Sequence, residues 1–167
     1  MPAPVEVQAA TINEFIEGWK TKNPDAWTSN WTDDCTNTIL PYSMNHPGWS
    51  KDDVRNVHLP RLFTTLSNWQ LNVYDVIHDV AKGKACIYAT SRADTPFGDF
   101  KWTNEYAAFL TLSEDGKQVK KIEEMVDTAF FAEMAKQGAA HAAAQKEKAE
   151  ASASASKDAP SAQAVKV

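Results

Sequence analysis

The sequence predicts an α+β fold: a cone-shaped roll, in which a strongly bent antiparallel sheet packs its concave face against N-terminal helices. Three observations carry this expectation. Apolar residues recur at helical spacing near the start, four long segments rich in β-branched and aromatic residues follow with tight-turn signals between them, and one further helical stripe comes last. Helices massed before a run of strands point to an α+β domain rather than to alternating βα units.

Taken in order, Ile12, Phe15, Ile16 and Trp19 fall at i, i+3, i+4 and i+7 and lay an apolar stripe along a helix over residues 6–21. Asn23-Pro24 supplies an N-cap and a first-turn proline for a second helix, on which Ala26, Trp27, Asn30 and Trp31 keep helical spacing. A short strand over 35–40 and an aromatic, polar loop over 41–49 lead to Ser50. This serine caps a third helix with Asp52 and Asp53 in its first turn, and that helix ends or kinks before Pro60 and resumes towards Leu66. Lys82-Gly83, Thr95-Pro96-Phe97-Gly98 and Glu114-Asp115-Gly116 then divide strands over 69–81, 84–94, 99–112 and 117–127, an antiparallel meander. A last helix starts near Asp127 and brings Phe130, Phe131 and Met134 to one side.

A chain of 167 residues that is 43% hydrophobic with six tryptophans buries one core. The domain is expected over 1–137. Residues 138–167, rich in alanine, serine and lysine and without an aromatic residue, read as a helix extension as far as Ala149 and a disordered tail from Ser152. A formal charge of -5 offers no basic field for nucleic acid or for an anionic membrane surface. No run approaches the roughly 18 apolar residues of a membrane helix, and residues 1–7 lack the pattern of a signal peptide, so a cytoplasmic protein is expected. Cys35 and Cys86 have neither disulfide-framework nor zinc spacing and read as small apolar side chains, and no metal triad or cofactor fingerprint is present.

The chemistry is sought among polar residues that do not fit a plain core. In the strand 99–112 the even positions Phe100, Trp102, Asn104, Tyr106, Ala108, Leu110 and Leu112 form the inward row. Asn104 and Tyr106 interrupt it, and each needs a partner, because a buried unpaired amide or phenol costs about 1–3 kcal/mol. The following hairpin decides which acid reaches them. A three-residue loop with Gly116 left-handed sets Tyr106 opposite Glu124, whereas a two-residue Asp115-Gly116 turn sets Asn104 opposite Asp127; the single glycine favours the first. A carboxyl group in an apolar cavity has a raised pKa, as a general acid or base near neutral pH requires. The loop 41–49 adds Tyr42, His46 and Trp49, of which His46 can exchange protons. Tyr88, Thr90 and Arg92 alternate on one side of their strand, with Asp75 expected opposite Thr90. His58 and His78 read as surface residues.

These residues resemble a known family. Ala26-Trp27 with Asn30, Asp33-Asp34-Cys35 with Asn37-Thr38 and Leu40-Pro41, Ala89-Thr90-Ser91 with Ala93-Asp94-Thr95-Pro96, Asn104-Glu105-Tyr106, and Glu114-Asp115-Gly116-Lys117 with Ile122-Glu123-Glu124 and Val126-Asp127 resemble fungal SnoaL-like proteins of the nuclear transport factor 2-like superfamily. The resemblance covers residues 6–137. It implies a greasy interior holding a small hydrophobic metabolite and, in the enzymes of that superfamily, cofactor-free isomerisation, cyclisation or dehydration. An Asp/His pair of the dehydratase kind is absent. On this reading Glu124 or Asp127 is base or acid, Tyr106 and Asn104 hold a developing enolate oxygen, and His46 is a further proton carrier. Trp27, Trp31, Tyr42, Trp49, Tyr88, Trp102, Met125 and Phe130 shape the pocket. The competing expectation is a non-catalytic ligand-binding or interaction module. A homodimer through the outer sheet face, where Phe109 stands among polar residues, is expected in either case.

Overall fold

The computed structural model describes residues 2–157. Helix α1 (Val5–Lys20) buries the expected stripe of Ile12, Phe15, Ile16 and Trp19, each such side chain worth about 1.5–3 kcal/mol of transfer free energy. Helix α2 (Pro24–Trp27) is a single turn whose amides at 25 and 26 are capped by the Asn23 side chain. It does not continue to Trp31 as the spacing predicts. The chain turns at 28–30 and Trp31 opens strand β1 (Trp31–Leu40), because the Asn30 carbonyl is taken by the amide of Val119 and the residues beyond it join a sheet. Gly18 makes the α1–α2 crossing possible: a Cβ there would stand 2.6 Å from the Ala26 carbonyl oxygen and 2.9 Å from Trp27 Cα.

After β1, the short strand β2 (Trp49–Ser50) pairs back on it, and Ser50 caps the next helix in a reciprocal capping box with Asp53. Helix α3 (Lys51–Asp53), a π turn (Val54–His58) and helix α4 (Leu59–Thr65) are continuous. The interruption expected before Pro60 takes the form of a wider turn, and the helix then runs on to Thr65, close to the expected Leu66. Proline cannot donate to the preceding turn and crowds its carbonyl, and a π turn, here closed by Leu59 N donating to Val54 O, absorbs both problems without ending the helix.

Strands β3 (Ser67–Asp79), β4 (Lys84–Asp94), β5 (Lys101–Leu112) and β6 (Val119–Val126) form the expected antiparallel meander. The full sheet has the order β2-β1-β6-β5-β4-β3, and β1 runs parallel to β6. The sheet is thus mixed, open at both edges, and neither strongly curled nor closed, which overturns the expected cone-shaped roll with its wholly antiparallel sheet. The β1–β6 pairing joins segments more than 80 residues apart, such as Asn37 with Ile122, and no local turn signal announces it.

Neither predicted hairpin register survives intact. Ser113 N donates to Gln118 O, Leu112 pairs with Val119, and an irregularity then sets Tyr106 opposite Val126 and Ala108 opposite Glu124. Relative to the favoured register this is a two-residue displacement, which preserves the side each residue faces, so Glu124 still turns inward. A similar irregularity in β3 sets Asp75 opposite Tyr88 and Asn72 opposite Thr90, and leaves Asp75 exposed.

Helix α5 (Thr128–Lys157) is capped by Asp127, whose Oδ1 accepts from the amides of Ala129 and Phe130 at 3.0 Å each. It runs through the alanine-rich stretch to Lys157, past the point where the tail was expected, as the high helix propensity of alanine allows. Residues 158–167 of that tail lie outside the described residues. Cys35 and Cys86 are free, and burial pushes the Cys35 thiol up to about 12. Among the described residues no helix is long and apolar enough to cross a membrane, and no three His, Cys, Asp or Glu side chains gather closely enough to hold a metal ion.

Candidate functional site: a tryptophan-walled cavity

The alternation of β5 is as predicted: Trp102, Asn104, Tyr106, Ala108 and Leu110 are buried, while Lys101, Thr103, Glu105 and Phe109 are exposed. Part of this row borders a cavity of about 480 Å³ between the sheet and helices α4 and α5. Much of its wall is aromatic, with Trp27 from α2, Trp31 from β1, Trp49 from β2, Trp69 from β3, Trp102 and Tyr106 from β5 and Phe131 from α5.

Two polar groups are set into that wall. Glu124 is only 7% exposed, and its Oε1 accepts a 2.8 Å hydrogen bond from Asn37 Nδ2 of the neighbouring strand β1. Burial raises the Glu124 pKa above its ordinary value, and the Asn37 bond offsets this only in part. The second group is a relay. Trp102 Nε1 donates to Ser91 Oγ at 2.7 Å, and Ser91 Oγ shares a 2.9 Å hydrogen bond with the Tyr106 hydroxyl. Ser91 is fully buried in the inward row of β4. Burial holds the Tyr106 phenol well above its usual pKa, partly offset by Ser91 and reinforced by the charge of Glu124, so it stays protonated and can donate. The Asn37 Oδ1 and the indole N–H groups of Trp27 and Trp31 have no hydrogen-bond partner, although all three residues line the cavity. A polar ligand atom or water could satisfy such groups.

Other expected residues are placed elsewhere. Asn104 is buried outside the cavity lining; its Oδ1 accepts from Asp127 N at 3.3 Å, which braces the start of α5, and its side chain also helps to lower the pKa of the neighbouring Tyr106 phenol. Asp127 is exposed and spent on its cap. Tyr88 and Met125 face the outer side of the sheet, 42% and 41% exposed, because β4 buries its odd positions and β6 its even ones. Tyr42 is exposed and donates to Glu123 at 2.7 Å. Phe130 packs behind the wall, edge-on to Trp102 at 5.2 Å, while its neighbour Phe131 reaches the cavity. His46 stays outside the lining, with Nδ1 accepting from Gly48 N and its ring edge-on to Trp49 at 4.2 Å.

The sequence reading of the site missed Trp69 and Phe131 of the aromatic wall, and among polar residues it missed Asn37, Ser91, His58 and Arg61. Asn37 sits two positions from buried Cys35 in β1, and Ser91 interrupts the row Ala85, Ile87, Ala89, Ala93; both signals were legible. His58, expected on the surface, lines the cavity and stacks on Trp49 with ring centroids 3.7 Å apart. Burial lowers its pKa, Arg61 adds to that and Asp53 opposes it. Arg61 lines the cavity one turn further along. Their placement depends on the π turn, which leaves no pattern in the sequence.

No protein-family model matches the chain. Among curated proteins it is similar to monooxygenase dmxR10 of Cryptosporiopsis sp. (strain 8999), 63% identical over 133 residues that span 80% of this chain and 88% of that protein. It is also similar to an ergochrome gene cluster protein of Claviceps purpurea (strain 20.1), 44% identical over 130 residues, 78% of this chain and 83% of that one. Among solved structures, BvnE pinacolase from Penicillium brevicompactum shares the fold with a TM-score of 0.76 at 22% identity, over 81% of this chain and 93% of that chain. Similarity at this level over nearly the whole length of fungal relatives means that the chain belongs to the family of fungal proteins that includes monooxygenase dmxR10 and the ergochrome gene cluster protein, and it shares the fold of BvnE pinacolase.

Proposed function

We propose that this protein is a cofactor-free proton-transfer enzyme, an isomerase, cyclase or dehydratase acting on a small hydrophobic metabolite of fungal secondary metabolism. The observation that carries the reading is a buried carboxyl, Glu124, and a buried phenol, Tyr106, bordering one aromatic cavity. Asn37 anchors Oε1 of Glu124, so Oε2 is the basic atom offered to the ligand. Glu124 takes a proton from a carbon next to a carbonyl; the C–H electron pair moves onto the carbonyl oxygen as an enolate. Tyr106 donates to that oxygen, Ser91 donates to Tyr106, and Trp102 donates to Ser91, a row of donors held in place before charge develops. Return of the proton from Glu124 to a different carbon completes an isomerisation. The raised Glu124 pKa makes its carboxylate a stronger base than an exposed one.

A second reading has its own support, because the 63% identical relative is named a monooxygenase. The same proton abstraction yields an electron-rich carbanion. Addition of dioxygen forms a C–O bond, protonation gives a hydroperoxide, and loss of water leaves a ketone, so one oxygen atom enters the product and the other leaves as water.

The test begins with recovery of the native ligand by mass spectrometry from protein purified under mild conditions, followed by turnover with and without oxygen. Turnover that persists anaerobically supports proton transfer, whereas uptake of one dioxygen per turnover supports the oxygenase. A ligand always returned unchanged supports the non-catalytic module. Glu124→Gln is expected to lower turnover by about 10²–10⁴-fold, and if Glu124→Gln and Tyr106→Phe both leave it unchanged, the mechanism is wrong. We further take the working location to be the cytoplasm and the assembly to be a homodimer. The exposed Tyr74, Ile77, Tyr88, Phe109 and Met125 on the outer face of the sheet support a dimer, which light scattering would test.

A further inference from the structure

We infer that His58 is a second proton carrier of the cavity, which delivers a proton to one carbon of the ligand while Glu124 removes a proton from another. This rests on the proposed reading of the cavity and deepens it, because one carboxyl then no longer has to serve both carbons.

Adjoining pieces of one wall carry the two groups. Asn37, which holds Glu124, is the register partner of Trp49, so their side chains leave the two strands on the same face. His58 stacks on the Trp49 ring with centroids 3.7 Å apart. The π turn Val54–His58 that accommodates Pro60 ends on this histidine and brings it to the cavity, and such turns recur at functional sites. A stacked ring keeps its edge nitrogens clear of the indole, and here they are unspent. Of the four histidines, His46 accepts from Gly48 N, His78 bonds Gln8 and His141 bonds Gln145, whereas among the described residues neither nitrogen of His58 has a hydrogen-bond partner. Half-buried His58 also reaches water, from which Glu124 is shut off.

The step balances with one proton on the pair. The Glu124 carboxylate takes the proton from the carbon beside the carbonyl, and the C–H electron pair enters a dienolate. The far carbon of that dienolate takes the proton of the His58 imidazolium, its terminal double bond supplying the electron pair. Once the product has left, the neutral imidazole regains its proton from Glu124 through water. With two protons the pair has no base and with none it has no acid, so turnover follows a bell in pH. Burial pushes Glu124 up and His58 down, which draws the two limbs together. Around His58, Asp53 opposes the lowering, Arg61 adds to it, His46 is a further titratable neighbour, and Arg55 is held by Asp25.

The probe is a β,γ-unsaturated cyclohexenone in heavy water, with conversion followed by the absorbance of the conjugated isomer and label at the γ carbon by mass spectrometry. Wild type should place solvent deuterium at that carbon. His58→Gln should slow conversion by about 10²-fold, abolish the alkaline limb of the pH profile, and let substrate hydrogen appear at the γ carbon, since Glu124 must then return the proton it took. Imidazole added to His58→Ala should restore deuterium there, which a merely structural role for the ring would not allow. Substrate hydrogen retained at the γ carbon by wild type, an alkaline limb that survives His58→Gln, no rescue by imidazole, or no conversion of the ketone overturns the inference. Loss of conversion in Glu124→Gln with His58→Gln unchanged removes the second carrier and keeps the mechanism built on Glu124. If neither variant changes the rate, both fall.

Discussion

Ser91→Ala should destabilise this protein more than Tyr106→Phe, although each removes one hydroxyl from the same hydrogen bond. Ser91 is the hub, since its Oγ accepts from Trp102 Nε1 at 2.7 Å and bonds the Tyr106 hydroxyl at 2.9 Å. Trp102 and Tyr106 are 3% and 6% exposed, so water does not readily replace the serine. Alanine therefore strands two buried polar groups at about 1–3 kcal/mol each, and the expected loss is about 2–4 kcal/mol after partial relaxation. Phenylalanine at 106 leaves Ser91 still accepting from Trp102 and strands only one hydroxyl hydrogen, for about 1 kcal/mol. With a urea slope of about 2 kcal/mol/M, the midpoints should fall by about 1–2 M for Ser91→Ala and about 0.5 M for Tyr106→Phe. Activity should rank the other way, because Tyr106→Phe removes the donor that meets the substrate oxygen, whereas Ser91→Ala leaves it in place but less well held. Equilibrium unfolding followed by tryptophan fluorescence reads the first ranking and turnover of the identified substrate the second. A Tyr106→Phe loss equal to or larger than that of Ser91→Ala, at unchanged slope, would refute the hub.

Three further outcomes follow from the same geometry. Glu124 loses its proton near 4.5 when unfolded and at higher pH when folded, so between those values the folded state holds the extra proton and wild-type stability falls as pH rises. Glu124→Gln should abolish that decline in a series of Tm values taken across this range, and an unchanged slope would show that Glu124 is not its source. Gly18→Ala should cost about 1–3 kcal/mol despite the better helix propensity of alanine, because the new methyl meets backbone at 2.6 Å and backbone gives way poorly; a higher Tm would contradict this. Asp127→Ala should lower stability by about 1 kcal/mol and speed amide exchange at Ala129 and Phe130, while unchanged exchange there would remove its role as a cap.

The amino-acid sequence by itself determined the stripe of α1, the four-strand meander, the inward row of β5 and the inward turn of Glu124. Each of these is a local periodicity or a turn, and a register error of two residues cannot change the face of a strand. It also carried Ser91 and Asn37 as polar interruptions of buried rows. The tertiary structure alone decided that β1 lies parallel beside β6, and only this brings Asn37 within hydrogen-bonding reach of Glu124. It also decided that the sheet stays open, that Tyr88 and Met125 face away from the cavity, and that a π turn before Pro60 brings His58 and Arg61 to its rim. The physical reason is one of range. Periodicity reports what a residue does relative to its neighbours along the chain, whereas a site made by strands far apart in sequence exists only once the whole sheet has assembled and its partners have been chosen.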